Sequence, residues 1–147
     1  MEVSQTIFQQ MKMLDPMALW AWGADDFGAI PAGEFKGKYF DELLDWDGYR
    51  PPAFFKAHAG GLFFFVNGLK HKGKIEIFLN GSDYYDILAT SYLNTDGRIK
   101  VKSNSCDVFV GELMRVLDGL IEGKNPAFRD GIRDFELTAE IAKEKAL

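Results

Sequence analysis

Few residues in this chain have the chemistry of a nucleophile, a general base or a soft metal ligand. Histidine occurs only at His58 and His71, and Cys106 is the single cysteine among 147 residues. A nucleophile needs a neighbouring base that a third group holds in place, and a zinc site needs ligands at short spacings. The sequence contains neither pattern. We therefore predict no catalytic constellation, no metal site and no cofactor, and we interpret Cys106 as a half-buried thiol at a strand-to-helix junction.

The acidic residues allow one enzymatic alternative. Asp25, Asp26 and Asp45 lie in residues 25–47, a segment that holds seven acids and two bases. Two carboxylates can act as general acid and base, and a cluster of them can hold a divalent cation. None of these acids has the ligand spacing of a calcium loop, and solvated loop acids would give the same pattern. A small enzyme using loop carboxylates is kept as an alternative hypothesis.

Positive charge is concentrated further along the chain. Residues 61–104 hold six bases and four acids, and most of the bases flank two predicted turns. Alternate turns of a meander lie at the same end of the sheet, so these bases should come together. This basic hairpin end consists of Lys70, His71, Lys72, Lys74, Arg98 and Lys100. It could bind nucleic acid or another anionic ligand, but the net charge of −5 disfavours nucleic acid, and lysines at hairpin tips also block edge-to-edge pairing.

Aromatic residues crowd the segment 31–60, which we interpret as an irregular insertion. A short helix is predicted within Tyr39–Trp46, surrounded by glycines, prolines and charges. In a loop, so many aromatic side chains either close the edge of the core or form a contact surface. The candidates for a partner-binding aromatic loop are Phe40, Trp46, Tyr49, Phe54 and Phe55. We leave both interpretations open.

The elements that must position these residues are clearest between Gly61 and Asn104. Four runs rich in Phe, Val, Ile and Tyr predict strands at Leu62–Val66, Lys74–Leu79, Tyr84–Tyr92 and Arg98–Lys102. Asn-Gly and Asp-Gly dipeptides between them supply the positive φ angles of tight hairpins. Three successive hairpins predict a four-stranded antiparallel meander. A further strand is predicted at Met17–Ala24, where Leu19 and Ala21 alternate with two tryptophans.

Helices are predicted on both sides of this meander. Ile7, Phe8, Met11 and Leu14 share one face of a first helix, which ends before Pro16. A later helix carries a wide apolar stripe and is closed by a glycine at its C-terminal end. The residues of that stripe are Phe109, Leu113, Val116, Leu117 and Leu120, and the glycine is Gly123. A last short helix is predicted at Phe135–Ala146.

These patterns together predict one α+β domain over residues 1–147: a four- to five-stranded antiparallel meander with an N-terminal helix and C-terminal helices packed on it. The longest apolar stretch, Gly60–Val66, is far shorter than the roughly 20 residues of a membrane helix. No secretory signal precedes the first helix, and a lone cysteine fits a reducing compartment. We therefore expect a cytoplasmic protein that does not bind membranes.

One further similarity concerns strand and turn residues. Leu19–Ala24, Phe65–Gly68 with His71–Gly73, and Leu79–Gly81 with Tyr85-Asp86 resemble small uncharacterised bacterial proteins associated with phages and other mobile elements. The resemblance covers residues 4–122 in outline, and segment 31–60 replaces a shorter connection. It implies an accessory or interaction protein and no particular chemistry.

The leading hypothesis from the sequence is a non-enzymatic module that self-associates or binds another protein. It depends on three features: no catalytic constellation, the exposed edges of a meander, and the aromatic loop. The alternatives are binding of nucleic acid or an anionic ligand at the basic hairpin end, and a small enzyme using loop carboxylates. We expect a protein partner, either the same chain or another.

Overall fold

The computed structural model describes residues 2–34, 44–46, 57–91 and 99–123. Its helices are α1 (Val3–Leu14), α2 (Ala18–Ala21), a 3-10 turn (Val110–Glu112) and α3 (Leu113–Ile121). Its strands are β1 (Asp25–Ile30), β2 (Gly33–Glu34), β3 (Leu44–Trp46), β4 (Ala57–Asn67), β5 (Lys72–Asn80), β6 (Tyr85–Thr90) and β7 (Ile99–Val108). Within these ranges no helix has the length and apolar character needed to cross a membrane. The predicted α+β class is confirmed.

All of the described strands belong to one sheet in the order β1-β4-β5-β6-β7-β3, and β2 also pairs with β4. Strands β4 to β7 pair antiparallel with their neighbours in the chain, so the predicted meander is confirmed. Strand β1 adds a fifth antiparallel strand at one edge. At the other edge β3 pairs parallel with β7. The sheet is therefore larger than predicted, and β7 runs to Val108 instead of ending at Lys102.

The core lies between the sheet and its helices. Alternate residues of the central strands, such as Phe64, Ile77 and Ile87, are fully buried on one face. Met11 of α1 and Leu117 of α3 are buried in the same cluster, so both helices cover this face. Each such side chain contributes roughly 1.5–3 kcal/mol of apolar transfer free energy.

The opposite face holds a smaller cluster of Phe78, Leu88 and Val101. It also buries polar side chains: Glu76 is 5% exposed, and Asp86 is fully buried. Buried carboxyl groups are costly to ionise, so this face is chemically unlike the helix-covered one.

The apolar stripe predicted for α3 is largely confirmed. Leu113 and Leu117 are buried, and Val116 and Leu120 pack against the core cluster. Phe109 is an exception, because it precedes the 3-10 turn and is half exposed. Gly123 has φ +74°, the left-handed conformation that commonly ends a helix.

Two local predictions are wrong. Residues Met17–Ala24 do not form a strand, because Ala18–Ala21 is a single helical turn and β1 begins only at Asp25. In the segment predicted as a helix at Tyr39–Trp46, Leu44–Trp46 is instead strand β3, and residues 39–43 lie outside the described residues. The helix predicted at Phe135–Ala146 also lies outside them.

Candidate interaction surface

The turn between α1 and β1 places two tryptophans in opposite environments. The backbone N–H of Met17 donates to Asp15 Oδ1 at 3.2 Å, which turns the chain at Pro16 and starts α2. Residues two apart on a helical turn point in roughly opposite directions. Ala18 and Trp22 consequently face the core, and Trp20, between them, is 80% exposed.

Trp22 joins this turn to the sheet and to α3. Its side chain is 1% exposed, and its indole Nε1–H donates to Asp118 Oδ1 at 3.1 Å. Its carbonyl oxygen accepts the backbone N–H of Asn67 at 2.8 Å, at the end of β4. A buried indole N–H needs such an acceptor. Trp22 thereby fixes the position of the exposed Trp20 relative to the β4–β5 turn.

The β4–β5 turn closes the C-terminal end of α3. The backbone N–H groups of Lys70 and His71 both donate to Ile121 O, at 3.0 and 2.9 Å, and Leu69 N–H donates to Glu122 Oε2 at 3.1 Å. These donors satisfy acceptors at a helix terminus, where carbonyl groups lack intrahelical partners. At Gly68 any Cβ would overlap the carbonyl oxygen and side chain of Ile121, so the turn requires glycine there.

Two open depressions flank this turn. The first has a volume of about 510 Å³ and is lined by Ala21, Trp22, Leu69 and Lys72, among others. The second, of about 620 Å³, lies against α3 and Gly123. Leu69 lines both and is 63% exposed. Glu122 also lines both depressions.

Large apolar side chains are exposed in the segment that leads from α1 into α2. Along the chain from α1 to α2, Met13 is 84% exposed, Met17 62% and Trp20 80%. We call these three residues and Leu69 of the β4–β5 turn the apolar surface: Met13, Met17, Trp20 and Leu69. Large exposed apolar side chains are candidates for contacts with a partner.

Charges of both signs border the first depression. Lys72, Asp118 and Glu122 all line it. Lys70 borders the second depression, where its side chain lies beside Gly123. The rim of the apolar surface is therefore polar but not dominated by one sign of charge.

The structure brings part of the predicted basic hairpin end together. Lys70 and Lys72 are exposed, and Lys74 is half-buried with its Nζ 4.6 Å from the centroid of the Phe63 ring. Lys100 is the second residue of β7 and is half-buried, and its backbone N–H donates to Ser91 Oγ. Arg98 lies outside the described residues. Asp118 and Glu122 beside Lys72 offset some of the positive charge at this end.

His71 does not belong to an accessible basic site. It is only 4% exposed, and its Nε2 lies 3.1 Å from Lys74 O. Burial lowers the pKa of His71, and the positive charges of Lys102 and Lys70 lower it further. A neutral imidazole donating from Nε2 suits this carbonyl, so His71 supports the turn rather than presenting a charge.

The other sequence candidates do not form a site in the described residues. Asp25 and Asp26 are at the β1 edge, and Asp45 is in β3 at the opposite edge, five strand positions away. At about 4.8 Å per strand they are on the order of 24 Å apart, so they cannot act as one carboxylate set. Of the aromatic loop, the backbone of Trp46 pairs with β7 opposite Val101. Phe40, Tyr49, Phe54 and Phe55 lie outside the described residues.

Cys106 lies within β7, not at the junction with a helix, and its charged neighbours are the buried Asp86 and the exposed Asp107. Asp86 Oδ1 accepts the side-chain N–H of Asn80 at 3.1 Å and the backbone N–H of Asp107 at 3.0 Å. Burial and the neighbouring charges of Asp86 and Asp107 raise the pKa of the Cys106 thiol to about 12. In the described part of the chain no three His, Cys, Asp or Glu residues are placed to hold a metal ion.

The raised pKa makes Cys106 a poor nucleophile. The thiolate is the reactive form, so at pH 8 we expect iodoacetamide to alkylate Cys106 at least about a hundredfold more slowly than a free cysteine. Mass spectrometry of the intact protein over time measures this rate, and the same protein unfolded in urea is the control. Alkylation of the folded protein at the rate of the unfolded protein would contradict the prediction.

No family model, curated protein or solved structure matches this chain. The similarity to small bacterial proteins of phages and mobile elements therefore stays a prediction. The function has to be argued from the geometry of the described residues.

Proposed function

We propose that this protein is a non-enzymatic protein-interaction module and that its apolar surface is the docking surface. The observation that carries the proposal is the 80% exposure of Trp20, which precedes Ala21 of the open depression of about 510 Å³ in the chain. Tryptophan is among the residues that contribute most to binding when a partner buries them. Leaving one in water on a rigid turn has no benefit for folding, so binding is the better explanation.

The surface is also held rigidly, which suits recognition. Trp22 is anchored to Asp118 and to the backbone of Asn67, and the β4–β5 turn is bonded to the end of α3. A preorganised surface loses less conformational entropy on binding than a flexible one. The two binding sites predicted from the sequence lie elsewhere. The aromatic loop lies mainly outside the described residues, and the basic hairpin end includes a buried histidine.

Crosslinking tests this proposal. A photoreactive phenylalanine analogue replaces Met17 in cells that produce the protein, and Tyr84 is replaced in a control. Tyr84 is also exposed, but it lies in the β5–β6 turn at the other end of the sheet. Irradiation should give protein adducts at position 17, which Trp20→Ala reduces by about tenfold or more, as expected for loss of a central anchor. Absence of adducts at position 17, or equal adducts at position 84, would refute the proposal.

A further inference from the structure

His71 is the buried centre of the β4–β5 turn. Its side chain is 4% exposed, and its Nε2 lies 3.1 Å from Lys74 O on β5. Its carbonyl oxygen accepts the backbone N–H of Gly68 at 2.9 Å, and its own backbone N–H donates to Ile121 O on α3 at 2.9 Å. His71 therefore bonds the turn to itself, to the sheet and to the end of α3.

Three consecutive backbone donors attach this turn to α3 in the described part of the chain. They are the N–H groups of Leu69, Lys70 and His71, of which the first donates to Glu122 Oε2 and the other two donate to Ile121 O. Turns held by few bonds open locally at a lower free energy than the central strands of a sheet. The turn is thus the segment expected to leave α3 while the sheet stays folded.

The charged groups that act on the imidazole are both positive within the described residues. Burial lowers the pKa of His71 and outweighs the carbonyl groups of Lys74 and Thr90, which raise it. The charges of Lys102 on β7 and of Lys70 on the turn lower the pKa further. An imidazolium in the closed turn is therefore disfavoured both by burial and by two ammonium groups.

The other charged side chains around the turn have contacts of their own. Lys74 on β5 directs its Nζ over an aromatic ring of β4, and Lys72 is exposed. At α3 and its end, Asp118 accepts the indole N–H of Trp22, and Glu122 accepts a backbone N–H of the turn. The charge interactions of the imidazole are therefore those with the two lysines on the turn and on β7.

We propose that His71 is a proton-sensitive latch, which holds the β4–β5 turn on the end of α3 when the imidazole is neutral and releases the turn when it is protonated. Release exposes the ring to water, which stabilises the imidazolium. The turn carries Leu69, so release also moves this member of the apolar surface away from α3. The latch goes beyond the proposed function and does not depend on it.

The direction of the pH response follows from the two states of the turn. The ring binds a proton less tightly in the closed turn than in the open turn, where its pKa returns to the usual value of 6.5. The stability that neutral His71 gives to the closed turn is therefore complete above pH 6.5. It is lost as the pH falls from 6.5 through the lowered pKa of the closed state, so acid opens the turn.

Hydrogen exchange followed by NMR tests the latch on the full-length chain. The backbone amides of Lys70 and His71 are measured between pH 7.5 and pH 5.5, and each rate is divided by the intrinsic rate at the same pH. Protection of both amides should fall by about threefold to tenfold over this range, because one proton changes an opening constant by at most about tenfold per pH unit. His71→Gln keeps a side-chain N–H for Lys74 O but cannot gain a proton, so its protection should stay constant within about twofold.

Two controls separate the latch from other effects of acid. His58→Gln removes the other histidine, which is half-buried and accepts the N–H of Gly60 at Nδ1, and it should leave the pH response of the turn unchanged. Amides of the central strands β5 and β6 report unfolding of the sheet, and their protection should not follow that of the turn.

The outcomes divide cleanly. Wild-type protection of the turn that stays constant with pH, or that falls equally in His71→Gln, overturns the inference. An equal fall in the central strands means that acid unfolds the whole chain, which also overturns it. The comparison of turn and strand amides within the wild type decides the question even where a variant does not fold.

Discussion

Replacing Trp22 by alanine should lower the free energy of unfolding by about 3–5 kcal/mol, the usual cost of deleting a large buried aromatic side chain. The same replacement at Trp20 should change it by less than about 0.5 kcal/mol, because that side chain is 80% exposed. Urea unfolding followed by far-ultraviolet circular dichroism measures both values. The two residues are of one type and two positions apart, so each is a matched control for the other.

A third variant separates packing from hydrogen bonding. Trp22→Phe keeps an aromatic ring but removes the Nε1–H that donates to Asp118 Oδ1. The expected loss of unfolding free energy is smaller than for alanine, and about 1.5–3 kcal/mol of it comes from the hydrogen bond to a carboxylate. Equal losses for Trp22→Ala and Trp20→Ala would mean that the turn is not built as described, and the orientation of the docking surface would then be wrong.

The two tryptophans also show why the sequence predicted this segment wrongly. Over four residues, the alternation of Leu19 and Ala21 with the two tryptophans fits a strand, in which Trp20 and Trp22 would share one face. In a single helical turn, residues two apart lie on roughly opposite sides instead. The choice depends on Trp22 meeting Asp118, which is 96 positions away along the chain. No local pattern contains that contact.

The meander was predictable because its determinants are local. Asn80 Oδ1 accepts the backbone N–H groups of Ser82 and Tyr84, at 2.9 and 3.2 Å, so the turn residue itself organises the β5–β6 hairpin. The extra length of β7 had no such signal. The sequence there is polar and does not predict a strand. The backbone nevertheless pairs with β6 at Ser103, Asn104 and Ser105, because the sheet supplies a neighbouring strand.

The candidate surface was missed for a related reason. Met13 falls outside the apolar face predicted for the first helix, which was a signal that it would be exposed, whereas Met17 was assigned to the strand predicted at Met17–Ala24. Leu69 sits among turn and basic residues, where the sequence drew attention to charge. Only the bonds from the β4–β5 turn to Ile121 and Glu122 bring Leu69 beside α3 and the depressions.

Asp86 provides the second large effect, a dependence of stability on pH. The side chain is fully buried, Oδ1 accepts two N–H groups, and Oδ2 has no hydrogen-bond partner among the residues that the structure describes. Burial raises the pKa of Asp86 above its usual value of 3.8, and this outweighs the two hydrogen bonds, which lower it. The folded state therefore holds the Asp86 proton more tightly than the unfolded state does.

The sign of the effect follows from this difference. The contribution of Asp86 to stability is complete below pH 3.8 and is lost as the pH rises through the raised pKa of the folded state. Asp86→Asn cannot ionise, and its Oδ1 can still accept from Asn80 and from the backbone of Asp107. We therefore expect the free energy of unfolding of the variant to rise relative to that of the wild type as the pH rises from 4 to 8, by about 1.4 kcal/mol for each unit by which folding raises the pKa of Asp86.

Urea unfolding of both proteins at intervals between pH 4 and pH 8 measures this gain. The informative quantity is how the difference in unfolding free energy between variant and wild type changes with pH. Any constant cost of burying the new amide cancels in that change. Asp83→Asn is the matched control: Asp83 is exposed, three residues earlier, and its φ of 62° is one that asparagine tolerates. A difference for Asp86→Asn that stays flat with pH, or that follows the Asp83→Asn control, would show that Asp86 is solvated, and its burial on the second face of the sheet would then be wrong.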